Sequence, residues 1–202
     1  FNGVINIQTP TPKSILGTKA TLAGGEQSSA RIDARHAGMS GPWGYKVNAG
    51  RFQGDTWSLN RQFLRFEYDG FSILNNEEVP LKSHRVASTY GSARVDYDFE
   101  EDGGTAIAEG GVSQVEGEIF VTGIGRVQVP KAVKPWGRLS YAGKSFYAQV
   151  WGAGRESVVP QLSLSSGLPL EEHSFISQGD VQYRTSILGD NLFFIGGLSV
   201  RY

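Results

Sequence analysis

No cysteine occurs among the 202 residues, which excludes a disulfide framework and any thiolate metal centre. Net charge is almost absent as well: 19 Lys and Arg stand against 20 Asp and Glu, a formal charge of -1. A nucleic-acid binder would carry a basic excess, so no nucleic-acid partner is expected. No apolar run approaches the roughly 18 residues of a membrane helix. A bilayer crossing would therefore need a barrel of strands, because each backbone polar group in lipid must find its partner within the segment or the sheet. The chain opens at Phe1 with neither an initiating Met nor a charged-then-apolar leader, which reads as a processed or cut terminus. Glycine is plentiful, at 27 residues. That suits a β protein with many turns and close backbone approaches.

Alternation is the signal that is present. In the last hairpin Val181, Tyr183, Thr185 and Ile187 alternate with Asp180, Gln182, Arg184 and Ser186. After a turn at 188–191, Leu192, Phe194, Leu198, Val200 and Tyr202 share a face. Side chains of a strand point to opposite sides at period two, so each strand has one apolar and one polar face. A strand of about eleven residues suits a tilted bilayer crossing. Further strands are predicted at 3–9, 16–24, 29–37, 43–53, 87–99, 105–115, 136–141 and 145–155. The stretches 54–86, 116–135 and 156–179 are predicted as long connections. In the first of these, Leu59, Phe63 and Phe66 have helical spacing while Leu64, Phe66 and Tyr68 alternate, and a window this short does not decide.

After the first turn, short connections alternate with long ones, as in outer-membrane barrels. A soluble sandwich has no reason to alternate so regularly. The predicted fold is therefore all-β, an antiparallel transmembrane β-barrel, with about nine strands after the first segment. On this reading Arg31, Asp33, Arg35, Arg94, Asp96 and Arg184 face a wet lumen. Trp43, Tyr97, Phe99, Phe146 and Tyr202 fall near strand ends, where barrels carry interfacial girdles.

The opening Phe1-Asn2-Gly3-Val4-Ile5-Asn6-Ile7, followed by strands at 16–53 that include Trp43-Gly44-Tyr45, resembles TonB-dependent outer-membrane receptors at the passage from plug to barrel. The resemblance implies that residues 1–14 are the end of a plug domain and its linker, and that 15–202 are the N-terminal strands of the barrel. Family barrels have about 22 strands around a plugged lumen, so this would be an incomplete part of a larger barrel. It implies active uptake of a scarce solute such as a metal chelate, cobalamin or a glycan, at the outer membrane of a Gram-negative bacterium. Outer-membrane lipid, the plug, the remaining barrel strands and the energising inner-membrane TonB complex would be partners, the last through an absent N-terminal part. Nine strands starting at the periplasmic rim would leave Tyr202 at the outer rim. The alternative is a small complete barrel serving as a pore or structural protein, with an even strand count and first-to-last pairing.

Sites of chemistry are sparse. Trp57, Phe63, Phe66 and Tyr68, in a connection on the outer side, are candidate ligand contacts, since aromatic faces stack on aromatic or amphipathic solutes. Packing within that connection is the competing reading. Gly143-Lys144-Ser145 lacks the glycine spacing and following helix of a phosphate loop and reads as a hairpin turn. Gly123-Ile124-Gly125 lacks a third glycine. The acidic run Asp96, Asp98, Glu100, Glu101, Asp102 reads as a polar face running into a solvated turn rather than a calcium site. His84 with Glu77 and Glu78, and His173 with Glu171 and Glu172, have too few ligands in pattern to predict a metal. His36, beside Arg35, suggests only a polar surface. No nucleophile elbow occurs. An enzyme is not expected, and neither is a metal or other cofactor.

Overall fold

The computed structural model describes residues 9–55, 63–68, 73–79, 85–99, 103–123, 125–163, 168–187 and 192–202. A turn of 3-10 helix, Pro12–Ile15, comes first. Thirteen strands follow: β1 (Gly17–Gly24), β2 (Ala30–Ser40), β3 (Trp43–Asp55), β4 (Phe63–Tyr68), β5 (Ile73–Val79), β6 (Arg85–Asp98), β7 (Thr105–Thr122), β8 (Gly125–Ala142), β9 (Phe146–Val159), β10 (Gln161–Ser163), β11 (Pro169–Leu170), β12 (His173–Ile187) and β13 (Leu192–Arg201). No α-helix occurs among the described residues, and no helix is long and apolar enough to cross a membrane.

Nine strands pair side by side in the order β1-β2-β3-β6-β7-β8-β9-β12-β13, and every pairing is antiparallel. β10 attaches to β8 and β11, and β4–β5 is a separate hairpin. Among the described residues nothing pairs β1 with β13, so the sheet is open. The first-to-last pairing expected of a small complete barrel is missing.

Register fixes the faces, because residues directly opposite one another point the same way. Tyr45 lies opposite Val95, Val95 opposite Ala108, Ala108 opposite Leu139 and Leu139 opposite Val150. One row further along stand Val47, Ala93, Gly110, Gly137 and Gly152. These rows form an apolar face that no other layer covers. Leu139 is 59% exposed, Val150 51%, Val181 44% and Leu198 70%. Two stacked sheets would bury these side chains between them, so the sandwich is excluded. The fully buried apolar side chains Val127 and Val129 lie where β8 runs between β7 and β10.

At the short-turn end of the apolar face the rings form a row. Trp43 meets Tyr97 at 4.6 Å between centroids, Tyr97 meets Phe99 at 4.8 Å, Phe99 meets Tyr141 at 5.9 Å and Tyr141 meets Phe146 at 6.2 Å. The first three contacts are edge-to-face, the geometry that sets one ring's positive rim on its neighbour's negative face. Eight residues further along β3, Arg51 bonds Thr89 and lies 3.8 Å from Glu116. At about 3.4 Å per residue, the apolar band between the two borders spans about 27 Å along a strand. A tilt of 35–45° reduces that to about 19–22 Å across the membrane, somewhat short of the roughly 25 Å apolar belt of outer-membrane barrels.

Several expectations need correction. The stretch 116–135 is no loop: β7 and β8 continue through it as one long hairpin. Pro130, Pro135 and Gly117 lie within it, and the ladder passes them, with Glu116 opposite Lys131, Glu118 opposite Val129 and Val112 opposite Pro135. Gly117 sits at φ +70 and a Cβ there would meet the Arg85 carbonyl oxygen at 1.9 Å, so only glycine lets the strand through. The stretch 156–179 holds the end of β9, β10, β11 and the first half of β12, and 54–86 holds β4 and β5. Tyr202 bonds Ser177 through both its N–H and its carbonyl, at the end of β13 far from Leu192 and the short turns, so it does not join the aromatic row. His36 faces the apolar side, between the Thr18 hydroxyl at 2.8 Å and the Tyr45 hydroxyl at 3.3 Å. The predicted strand 3–9 lies outside the described residues, save Thr9.

Candidate functional site

The opposite face of the same sheet is polar. Alternation puts Arg31, Asp33 and Arg35 on it from β2, Arg94 and Asp96 from β6 and Arg184 from β12, although Phe52, Gly44 and Ile195 stand directly opposite Arg31, Asp96 and Arg184. The six residues share one face but form separate groups. Arg31 and the Tyr90 hydroxyl both donate to Asp33. Arg184 donates to the carbonyls of Lys144 and Gly143 and closes over the β8–β9 turn. That is a structural use of Gly143-Lys144-Ser145, as a hairpin turn.

The centre of the face is an ionic ladder across four strands. Lys46, Arg94, Glu109 and Arg138 stand in one row on β3, β6, β7 and β8. Arg94 holds Asp96 through two bonds of 2.6 and 2.8 Å. Its other Nη lies 3.9 Å from Glu109, which takes Arg138 at 2.7 Å. Arg94 and Asp96 side chains are only 6% and 10% exposed. A charge removed this far from water is tolerable only when paired and hydrogen-bonded, and the doubly bonded fork meets that condition. A second network gathers neutral donors around a carboxylate: Gln149, Gln178 and Ser199 all donate to Asp180.

The chain segment before β1 is seated on this same face. Lys46 donates to the Pro10 carbonyl at 2.9 Å, and Arg94 reaches the Thr9 hydroxyl at 3.5 Å. Pro12 is fully buried, and a Cβ on Gly44 would meet its ring at 3.2 Å and the Met39 sulfur at 2.9 Å. Gly44 thus makes the hollow that Pro12 fills. Sequence reading found the polar residues by parity. It missed the roles of Lys46, Glu109, Arg138 and Gly44, whose signal is register between strands far apart in the chain.

Of the candidate ligand contacts, Phe63, Phe66 and Tyr68 lie in β4, and Trp57 lies outside the described residues. His173 lies 4.0 Å from Glu156 across β12 and β9. Among the described residues no group of three His, Cys, Asp or Glu is placed to hold a metal. His84 and 100–102 lie outside them. Compared with protein-family models, with curated proteins and with solved structures, the chain matches none.

Proposed function

We propose that this chain forms wall strands of an outer-membrane transport barrel, with its polar face lining the lumen and its apolar face in lipid. We take the barrel to belong to a TonB-dependent receptor that accumulates a scarce solute such as a metal chelate, cobalamin or a glycan. The two-faced sheet, the row of aromatics and the uncovered apolar band between two polar borders support a membrane wall. The observation that carries the receptor reading is the seat of residues 9–12 on the polar face. A chain arriving at β1 from inside the lumen is what a plug followed by a barrel requires. The inner-membrane complex would act through the plug, and the hairpin holding Phe63, Phe66 and Tyr68 would help recognise solute on the outer side.

The absence of cysteine from these 202 residues leaves the wall strands free of background labelling. In the full-length protein in outer membranes, single cysteines at Ser92, Ser140 and Gln149 should react with a membrane-impermeant maleimide after the plug is unfolded with urea. Cysteines at Val95, Leu139 and Val150 should react only with a lipid-soluble reagent. Equal labelling of both sets would end the wall reading. Transport is tested separately: uptake of labelled chelates, cobalamin or oligosaccharides should stop when the proton-motive force is collapsed. Uptake that continues unchanged would indicate a passive pore.

A further inference from the structure

Nearly every cation on the polar face has an acceptor. Arg94 has Asp96, Arg138 has Glu109, Arg31 has Asp33 and Arg184 has two carbonyls. Arg35 differs. Its Nε is sealed from solvent without a hydrogen-bond partner, as are those of Arg138 and Arg155, but unlike those two Arg35 is paired with no carboxylate among the described residues. Its neighbours in register repel it: Lys19 lies directly opposite on β1, and Lys46 sits diagonally on β3, opposite Ala37. Opposite residues on one face are about 5 Å apart at Cβ and diagonal ones about 7–8 Å, so like charges here destabilise one another. The nearest carboxylate along the strand, Asp33, is occupied by Arg31 and Tyr90. Directly across from Arg35 on β3 stands Asn48, whose amide is turned to the Ser92 hydroxyl at 3.1 Å and supplies no charge.

Lys19 and Arg35 face each other without an anion, one with a buried unpaired donor, and Lys46 beside them is the end of the row that holds Arg94 and Glu109; this is half of a charge-assisted contact. We propose that Arg35, flanked by Lys19 and Lys46, is an oxyanion-binding subsite on the polar face, taking a carboxylate or phosphate group of the solute. A planar guanidinium fork suits two oxygens of such a group, and the lysines add charge without imposing direction. An oxyanion here relieves the Lys19–Arg35 repulsion and gives the idle Nε an acceptor. Lys46, at the edge of the subsite, also grips Pro10, so the subsite lies beside the seated segment. The proposal rests on the polar face being wetted as the lumen of the barrel, and it narrows the solute to an anionic one.

The test is titration calorimetry on the full-length protein in detergent micelles, with inorganic phosphate, citrate and, as a neutral control, glucose. Phosphate or citrate should bind and glucose should not. Because hydrogen bonds to charged groups are the strong ones, Arg35→Gln should weaken binding by about tenfold or more. Arg35→Lys keeps the charge without the fork and should fold even if the glutamine variant does not. It should weaken binding about threefold, the weaker hold of a point charge. Arg201→Gln removes a cation elsewhere on the same face and should change affinity less than about twofold, as a distant charge does. The subsite is overturned if the wild type binds neither anion at millimolar concentration, if Arg35→Gln binds like the wild type, or if Arg201→Gln is equally harmful. Maleimide labelling of a Ser140→Cys variant separates the two levels. Labelling without anion binding keeps the lumen and removes the subsite, and anion binding without labelling does the reverse.

Discussion

Asp96→Asn is the sharpest probe of the ionic ladder. The substitution is nearly isosteric and removes the charge that faces Arg94 across bonds of 2.6 and 2.8 Å. With Arg94 only 6% exposed, water cannot replace what is lost. Glu109 is 3.9 Å away and already takes Arg138 at 2.7 Å, so it compensates poorly. Removing one partner of a buried ion pair costs about 3–5 kcal/mol. The amide oxygen of Asn still accepts one hydrogen bond, which places the expected loss near the lower end, about 3 kcal/mol. With a urea slope of about 3 kcal/mol per molar for a protein of this size, the unfolding midpoint should fall by about 1 M. Asp33→Asn is the control: its partner Arg31 is 57% exposed, and pairs of that kind contribute under about 1 kcal/mol. Adding Arg94→Met to Asp96→Asn should recover much of the loss, because the orphaned charge goes with it. The reasoning is refuted if Asp96→Asn shifts the midpoint no more than Asp33→Asn does, or if the double variant is no better than the single one.

Other perturbations test other levels. Val47→Arg puts a charge at mid-height of the apolar face and should cost about 2–4 kcal/mol in lipid vesicles, while Ser92→Arg on the polar face should cost far less; equal costs would contradict the assignment of faces. Gly117→Ala drives a methyl into the Arg85 carbonyl at a left-handed φ and should lower stability by about 1–3 kcal/mol, read as a lower temperature for the heat-induced shift in gel mobility. Gly44→Val fills the hollow taken by Pro12 and should release the segment before β1, exposing it to protease while the sheet stays folded.

The nine-strand path was legible because its strands are two-faced: Ala30, Ile32 and Ala34 against Arg31, Asp33 and Arg35 leave one way to place β2. Faces came with parity, so the polar residues were assigned without any contact being known. Three kinds of feature were not legible. The continuation of β7 and β8 through 116–135 was not legible, because a strand's tolerance of prolines such as Pro130 and Pro135 depends on what lies opposite, and only the register supplies that. The first half of β12, at 173–179, has a mixed pattern in which His173, Gly179, two serines and one glutamine blur the alternation. The seat of Pro12 in the Gly44 hollow and the isolation of Arg35 arise from residues tens of positions apart, which no local window contains.

The β7–β8 hairpin carries one more implication. Its strands of 18 residues run on well past Arg51 and Glu116, where the apolar band stops. Beyond Gln114 the eight residues to Thr122 add about 27 Å along the strand. Past the Gly117 kink the pairing resumes with Glu118 opposite Val129, so the extension belongs to the same hairpin as the apolar band. Band and mast are one piece, so any tilt of the sheet would be carried, as by a lever arm, to the tip that β10 and β11 brace.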